Sequence, residues 1–574
     1  MLDYLIKGGT LVDGTGAPRR SGNVGVKDGR IVAVGSIDEA AKETIDATGK
    51  IVAPGFVDVH THYDAQVFWD PDISPSSYHG VTTVFAGNCG FSVAPLVPEA
   101  GDYLMRLLAK VEGMPLQALQ EGVPWNWESF GSYLDLLEGK MAINIGFLVG
   151  HSAIRRVVMG EDSDKPASRE QLDAMKALLK QSLAEGGMGF SSSQSPTHND
   201  GNGQPVPSRA ATPEELVELA GCLKDYPGTL LEFIPSVGPF SDERKQLMTD
   251  MSLAAGRSLN WNVMIVTRGT KEIFEAQLTA SDYAAERGAE VKALTFAQPV
   301  SLRINLWSGF GLDSFPGWAE VLALPIDDRK KAFADPAVRE KLVRGANHPD
   351  IPLALKATGN FKRMLVEETF SETTKTYEGR VIGDIAQEEG REPSDVFFDI
   401  AVADDLKTTF LPNLGGDDEE SWQLRGKVWK DPRTLVGASD AGAHLDMIDT
   451  FAFSTTLLSS GVRDHGLLSL EEAVHEITDR PARFLGLKER GRLEEGWHAD
   501  LVVFDADSVG KGPIHTRYDL PAGAGRLYCE AEGIEHVFVN GQEIVRNNQL
   551  TGSKPGLVMR SGRDTETVPI PANQ

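Results

Sequence analysis

Two histidines separated by one residue are the first candidates for chemistry in this sequence. His60 and His62 belong to the segment Asp58-Val59-His60-Thr61-His62, which directly follows an apolar run. Side chains at positions i and i+2 of a strand point to the same side, roughly 6.5–7 Å apart along the chain. Two imidazoles at that spacing can hold one divalent ion between them, although two unrelated surface histidines would give the same pattern.

The strand before this motif is one of eight apolar runs that end in polar residues. We predict strands at 51–60, 82–89, 142–151, 188–193, 229–235, 260–266, 291–298 and 434–440. Helical periodicity separates several of them, as in residues 168–186, where Ser168 is a candidate N-cap. Alternating strands and helices indicate an α/β fold with a parallel sheet, and eight units predict a (β/α)8 TIM-like barrel.

Both ends of the chain show a different pattern, with short alternating strands and glycine-rich turns. Asn540-Gly541 between two apolar runs is a hairpin signal. We therefore predict a small β-sandwich domain formed from residues 1–53 plus 499–574, and a barrel over 54–498. An inserted segment is expected at about 305–430, because a bare loop of that length is implausible. The polar C-terminal end is predicted to be a loose tail.

The composition excludes several classes of protein. Of 574 residues, 41% are hydrophobic and 24% charged, as in a soluble globular protein. The net charge of −27 repels phosphate backbones and anionic lipid, so neither nucleic acid nor a membrane is an expected partner. Three scattered cysteines and the lack of a basic, apolar leader favour the cytoplasm, and the sequence leaves a homo-oligomer open. No GxGxxG, GxxxxGK[ST], HExxH or GxSxG motif is present, so nucleotide-dependent and serine-hydrolase chemistry has no motif support.

Several segments together resemble the metal-dependent amidohydrolase superfamily. They are PGFVDVHTHYD (54–64), ASDAGAH (438–444) and GRLEEGWHADLVVFD (491–505). GVTTVFAGNCGFSVAP (80–95) and VGHSAIR (149–155) are similar to the branch that contains D-aminoacylases, or N-acyl-D-amino-acid deacylases. The resemblance covers nearly the whole chain.

The resemblance implies a role for each matching residue. His60 and His62 would bind zinc, and Asp440 would be a further ligand that also shuttles the proton. Cys89 matches a cysteine that binds or bridges the metal in that branch, although a buried inert thiol is the usual state of such a residue.

The sequence departs from the branch on strands five and six, where the branch has a histidine on each. LLEFIPSVG (230–238) and LNWNVMIV (259–266) contain none, and their nearest polar residues are Glu232 and Asn262. Glu232 could point into the barrel or pair with a charge outside it. We therefore expect one zinc ion rather than two, with a two-metal site that uses Glu232 as the alternative.

Further polar residues at the strand ends are candidates for substrate binding. They are His151, His198, Glu232, Asn262, Arg268 and His444. The branch grips a substrate carboxylate with cationic residues after strand six and after the last-strand Asp. Here Arg268 could serve, but no Lys or Arg directly follows Asp440, and aromatic residues within 307–318 could line an acyl or aryl pocket.

We interpret the sequence as that of a metal-dependent hydrolase that cleaves the C–N bond of a small N-acyl or N-aryl amide. The metal would polarise the carbonyl and lower the pKa of water, while Asp440 would relay the proton to the departing amine. Hydrolysis of a cyclic amide or carbamate, or deamination, is the alternative on the same scaffold. A barrel that binds a ligand without turnover is the alternative of another class.

Overall fold

The computed structural model describes residues 1–309, 311–349, 351 and 356–571. Its strands in chain order are β1 (Leu2–Leu11), β2 (Arg20–Lys27), β3 (Arg30–Gly35), β4 (Ala41–Asp46), β5 (Ile51–Pro54), β6 (Phe56–Asp58), β7 (Val81–Ala86), β8 (Asn144–Phe147), β9 (Val149–Gly150), β10 (Gly189–Ser193), β11 (Leu230–Ile234), β12 (Leu259–Met264), β13 (Val291–Thr295), β14 (Leu365–Glu368), β15 (Thr409–Leu411), β16 (Thr434–Val436), β17 (Leu501–Phe504), β18 (Gly510–Lys511), β19 (His515–Arg517), β20 (Arg526–Tyr528), β21 (Ala531–Glu532), β22 (Ile534–Val539), β23 (Gln542–Arg546) and β24 (Gln549–Leu550).

Helices connect most of the central strands. Their bounds are Pro98–Val111, Leu116–Gly122, Phe130–Leu137, His151–Met159, Arg169–Ala184, Pro213–Gly221, Asp242–Ala255, Lys271–Ala285, Trp318–Leu322, Ile326–Ala334, Pro336–Ala346, Ile382–Glu389, Pro393–Ala403, Glu419–Trp429, Phe453–Thr456, Leu470–Ile477 and Asp479–Phe484. Ser168 accepts a hydrogen bond from the Gln171 backbone N–H and caps the helix Arg169–Ala184, as its sequence indicates. Within the part of the chain described, none of the helices combines the length and apolar character needed to cross a membrane.

Strands from both ends of the chain form one sheet. Its order is β24-β23-β22-β17-β5-β1-β2-β3, with β4 beside β1. Alternate residues of β5 and β17, in the middle of this sheet, face opposite sides. Val52 and Val503 lie in an apolar cluster with other residues of the chain ends, whereas Val502 lies in the main core. One face of this sheet therefore packs in the cluster formed largely by the chain ends, and the other face packs against the main core.

Parallel strands, which we call the central strands, form the centre of the molecule. β6, β7 and β8 pair in that order, and β9, β10, β11, β12, β13 and β16 form a second parallel ladder. The ends of β6 and β16 meet through backbone hydrogen bonds, from His62 N to Ala441 O at 2.7 Å and from Asp440 N to His60 O at 3.1 Å. The carboxyl ends of the first and last central strands therefore lie side by side, which brings His60, His62 and Asp440 together.

The predicted single strand at 51–60 is two strands in the structure. β5 belongs to the terminal sheet and β6 to the central strands, and Gly55 separates them, donating its N–H to Asp500 O at 2.9 Å. A Cβ at Gly55 would lie 2.2 Å from the Thr82 Oγ1 atom, so only glycine fits this crossing. One continuous apolar run thus contributes one strand to each of two sheets.

The segment between β13 and β16 has an apolar cluster of its own. Trp318, Phe333, Phe361 and Phe398 pack there with residues of neighbouring helices. The helix Glu419–Trp429 instead places Trp422 and Trp429 in the main core. The separately packed part therefore ends before this helix, which returns the chain to β16.

The C-terminal end is packed, so the predicted loose tail is wrong. Gly556 N donates to Met141 O and Met559 N to Ile145 O, each at 2.8 Å, which adds this segment beside β8. Val558 and Met559 are fully buried. Two adjacent apolar side chains within a mostly polar segment are enough to fix it against the central strands.

Candidate functional site

Four side chains predicted as metal ligands converge at the carboxyl ends of the central strands. The Nε2 atoms of His60 and His62 lie 3.3 Å apart. Cys89 Sγ lies 3.4 Å from His60 Nε2 and 3.6 Å from His62 Nε2. Asp440 Oδ1 lies 3.5 Å and 3.1 Å from the same two nitrogens. The two imidazoles therefore stand between a thiol and a carboxylate.

Left-handed backbone conformations after two different strands present the thiol and the carboxylate. Cys89 follows β7 with φ of 59°, and Asp440 follows β16 with φ of 54°. Both values lie in the left-handed region, which is costly for a residue with a Cβ and tends to persist where the surroundings fix the conformation. The backbone is thus bent at the positions that carry the thiol and the carboxylate.

The spacing of these donors fits one divalent ion. In a tetrahedral zinc site with bonds of about 2.0–2.3 Å, neighbouring ligand atoms lie roughly 3.3–3.8 Å apart. Cys89 and Asp440 each lie 3.1–3.6 Å from both imidazole nitrogens, which are 3.3 Å apart. His60, His62 and Cys89 form one compact group of donors, and His62, Glu112 and Asp440 form a second that shares His62. Two nitrogens, a sulfur and a carboxylate oxygen are also the donor types that zinc prefers, so these residues can hold that ion.

The charges around the two histidines favour a cation. Although burial opposes ionisation of His62, the carboxylates of Glu112 and Asp440 raise its pKa to about 9. Burial and the nearby carboxylates of Glu232, Glu112 and Asp440 raise the pKa of the Cys89 thiol well above its usual value. A thiolate at Cys89 therefore requires positive charge beside it, which a bound metal supplies.

Glu112 belongs to the site but is not found by sequence reasoning. It follows the helix Pro98–Val111, is 3% exposed, and places Oε1 3.5 Å from His62 Nδ1. Its backbone carbonyl accepts the N–H of His444 and so also fixes the loop after β16. No motif marks this residue, because it reaches the site through the packing of a helix between β7 and β8.

We expect Glu112→Gln to weaken zinc binding by about 10- to 100-fold, the usual cost of losing a carboxylate that orients a ligating histidine. The dissociation constant can be measured by competition with a chromogenic chelator. Glu99→Gln, an exposed position in the first turn of the same helix, is the matched control. Equal zinc affinity in the two variants would show that Glu112 does not support zinc binding by His62.

Glu232 and Asn262 form a buried pair beside Cys89. Glu232 Oε2 accepts the Cys89 N–H at 2.9 Å, and its other oxygen accepts a hydrogen bond from the Asn262 amide. Glu232 is 1% exposed, so it points inward rather than toward the surrounding helices. Both of its oxygens are occupied by protein donors, and it holds the turn that carries Cys89.

A cavity of about 370 Å³ opens above the histidines. Its polar lining residues include Ser195, Thr197 and Gln277. Six apolar residues also line it, and we call them the apolar wall: Ile234, Val237, Val263, Ile265, Ile273 and Phe296. The cavity can therefore accept a molecule with an apolar group and a polar group near the metal donors.

His198 and His444 line this cavity, as does Asn262. His198 Nδ1 contacts Ser193 Oγ at 2.8 Å, and burial lowers the pKa of its imidazole to about 3. Burial also lowers the pKa of His444. The two histidines thus face the cavity as neutral rings that can accept or donate hydrogen bonds.

Other predicted substrate-binding residues are not brought to the cavity. His151 is fully buried between Ser192 Oγ at 2.8 Å and Glu215 Oε1 at 2.9 Å. The Arg268 side chain is 67% exposed and lies 3.9 Å from Glu420. Neither is among the described residues that line the cavity.

The aromatic residues predicted to line a pocket also lie elsewhere. Phe315 and Trp318 pack in the separate apolar cluster between β13 and β16, and Trp307 is 46% exposed. Phe310 lies outside the described residues. Aliphatic residues at the ends of β11 and β12 and in the segments that follow, together with Phe296 after β13, form the apolar wall instead.

Comparison with known proteins assigns the chain to a family. The Amidohydrolase family matches residues 43–545. D-aminoacylase of Alcaligenes xylosoxydans xylosoxydans is 29% identical over 97% of both chains. The structure of N-acyl-D-glutamate deacylase from Bordetella bronchiseptica, solved with zinc and a phosphonate inhibitor, is 25% identical with a TM-score of 0.65, covering 98% of this chain and all of the other. A D-aminoacylase structure that addresses a binuclear metal centre is 26% identical, with the same coverage and a TM-score of 0.65.

The chain belongs to the amidohydrolase family. The predicted resemblance to its D-aminoacylase branch is confirmed, as is the reaction class: a metal-dependent hydrolase of C–N bonds other than peptide bonds. The solved relatives also confirm the α/β class of the fold.

Proposed function

We propose that this protein hydrolyses a small N-acyl amide at the site formed by His60, His62, Cys89 and Asp440. The observation that carries the proposal is the convergence of these four donors at one end of the cavity. The activities of the relatives, which are deacylases of N-acyl-D-amino acids, support the acyl amide as substrate class. When bound, a divalent ion supplies Lewis acidity toward the carbonyl oxygen and acidifies water.

Asp440 is the residue that we assign to proton transfer. Its side chain is 24% exposed, whereas those of His60 and His62 are 3% and 2% exposed, so its carboxylate reaches the cavity. Burial opposes its ionisation, but hydrogen bonds from His60 and His62 hold the pKa of Asp440 well below its usual range. The carboxylate can therefore take a proton from attacking water and deliver it to the departing nitrogen.

A single metal ion is the stoichiometry we propose. A second ion beside Cys89 would need donors from β11 and β12, where the available groups are Glu232 and Asn262. Glu232 already accepts hydrogen bonds with both oxygens, one of them from Asn262. If Glu232 bound a second metal ion instead, the buried Cys89 N–H and Asn262 amide would lose their acceptor, which costs free energy.

We also propose that the central strands close into a (β/α)8 barrel. The strands within residues 1–53 and 499–550 form a separate β domain, and the segment around 556–559 packs beside β8 instead. The side-chain cluster of Val57, Phe85, Leu148, Met188, Leu294 and Leu435, drawn from opposite strands, supports a filled barrel interior. The chain ends share their own apolar cluster, which supports the second unit. The cytoplasmic location and self-association stay predictions.

The experiment is to strip the protein with a chelator, add back zinc, and follow both bound metal and amide hydrolysis. We expect activity to rise with the first equivalent and to reach its maximum near one ion per chain. Full activity in metal-free, folded protein would overturn the proposal. Maximal activity only at two ions per chain would overturn the single-ion stoichiometry alone.

A further inference from the structure

Apolar side chains and two carboxyl groups line the same cavity. Val237 and Ile265 of the apolar wall are 61% and 43% exposed. Glu112 and Asp440 line the cavity beside His62, and we call this part its floor. None of the described residues that line the cavity is Lys or Arg.

We propose that the substrate is a neutral amide with an apolar acyl or alkyl group and no carboxylate beside the scissile bond. This inference rests on the proposed function and narrows its substrate class. The apolar group lies against Val237, Val263 and Ile265, and the amide lies over His60 and His62. Contact with apolar side chains, rather than an ion pair, supplies the binding energy.

The surroundings of the histidines disfavour an anionic substrate. The carboxyl groups of Glu112 and Asp440 lie 3.5 Å and 3.1 Å from His62, close to any substrate group placed over the two imidazoles. Because burial lowers the pKa of His198 and His444, these imidazoles add no positive charge. A substrate carboxylate at the wall would be desolvated with no cation to pair with.

Two arginines on segments next to the cavity contact groups outside its lining. Arg209 donates to His198 O at 3.0 Å and to Asn199 Oδ1 at 2.8 Å. Arg268 is 67% exposed and lies 3.9 Å from Glu420. Neither lines the cavity, so the carboxylate partner expected from the branch is lacking among these residues.

The test compares two substrates that differ only in charge. An N-acylalanine carries a carboxylate where the N-isopropyl amide of the same acid carries a methyl group. We expect kcat/KM of the zinc-loaded enzyme to be at least about tenfold higher for the isopropyl amide than for either enantiomer of the acylalanine, given carboxylates nearby at reduced dielectric. A higher kcat/KM for an acylalanine would overturn the inference and leave the hydrolase intact.

A matched pair of variants adds a charge inside or outside the cavity. Val237→Lys places a cation at the apolar wall, whereas Leu253→Lys places one at a leucine that is 45% exposed and does not line the cavity. We expect Val237→Lys to shift the substrate preference toward the acylalanine by about tenfold at low salt, and less at high salt. An equal substrate preference in the two variants would contradict the binding of the substrate's apolar group at Val237.

A binding measurement tests this inference independently of the proposed hydrolytic function. Calorimetric titration of the non-hydrolysable ketone analogues of both compounds, with CH2 in place of NH, into the zinc-loaded wild type should give the lower dissociation constant for the analogue of the isopropyl amide. If the wild type hydrolyses neither compound but this preference holds, the proposed function fails and the neutral binding site stands. Tighter binding of the acylalanine analogue overturns the inference whatever the turnover.

Discussion

Replacing Asp440 with Asn is expected to lower kcat/KM by about 10³-fold or more while the protein stays folded. The amide keeps the shape of the side chain but cannot carry a proton between water and the leaving nitrogen, and general acid–base catalysis contributes about 10²–10⁴-fold. The variant does not add backbone strain. Asp440 has φ of 54°, a conformation that Asn also tolerates well. The loss therefore reports on the carboxylate.

The measurement is kcat/KM for an amide substrate, with zinc content and thermal unfolding recorded on the same samples. Asp446→Asn is the matched control, because Asp446 lies in the same loop, accepts a hydrogen bond from Asn305 at 3.0 Å and does not line the cavity. It should retain wild-type activity. If Asp440→Asn kept more than a tenth of the activity with zinc still bound, Asp440 would not be the proton carrier.

The sequence predicts the strands of this protein well where one strand serves one sheet. The expected strand at 188–193 is β10 (Gly189–Ser193), and that at 229–235 is β11 (Leu230–Ile234). Hydrophobic runs bounded by polar ends carry this information locally. At 51–60 the same signal misleads, because the pattern cannot show that Gly55 passes the chain from one sheet to another.

Candidate ligands on strand ends are predictable, but their neighbours are not. His60 and His62 come from a local motif and Cys89 from the family resemblance, and the structure brings their donor atoms within 3.6 Å of one another. Glu112 reaches His62 from a helix end, so its role depends on tertiary packing. His151 shows the converse: it follows a strand like a site residue, yet Glu215 and Ser192 hold it inside the core.

Replacing Cys89 with Ala is expected to weaken zinc binding by more than about 100-fold, the upper range for losing a residue that only supports a ligand. Cys89 Sγ lies within 3.6 Å of both imidazoles, so its loss removes one of the three donors of the group that it forms with His60 and His62. Alanine keeps the Cβ and therefore the same backbone strain at φ of 59°. The Glu232 bond to the Cys89 backbone N–H is also retained.

Cobalt substitution makes this prediction specific for sulfur. Thiolate ligation gives a cobalt charge-transfer absorption in the near ultraviolet, which should be present in the wild type and absent in Cys89→Ala. Cys222→Ala is the matched control, since Cys222 is also a buried free thiol but contacts Glu218 O at 3.6 Å, away from the site. An absorption that persists in Cys89→Ala would exclude Cys89 as a ligand and leave His60, His62 and Asp440 as the proposed protein donors. The buried Glu232–Asn262 pair would then serve to shape the cavity floor rather than to position a thiolate.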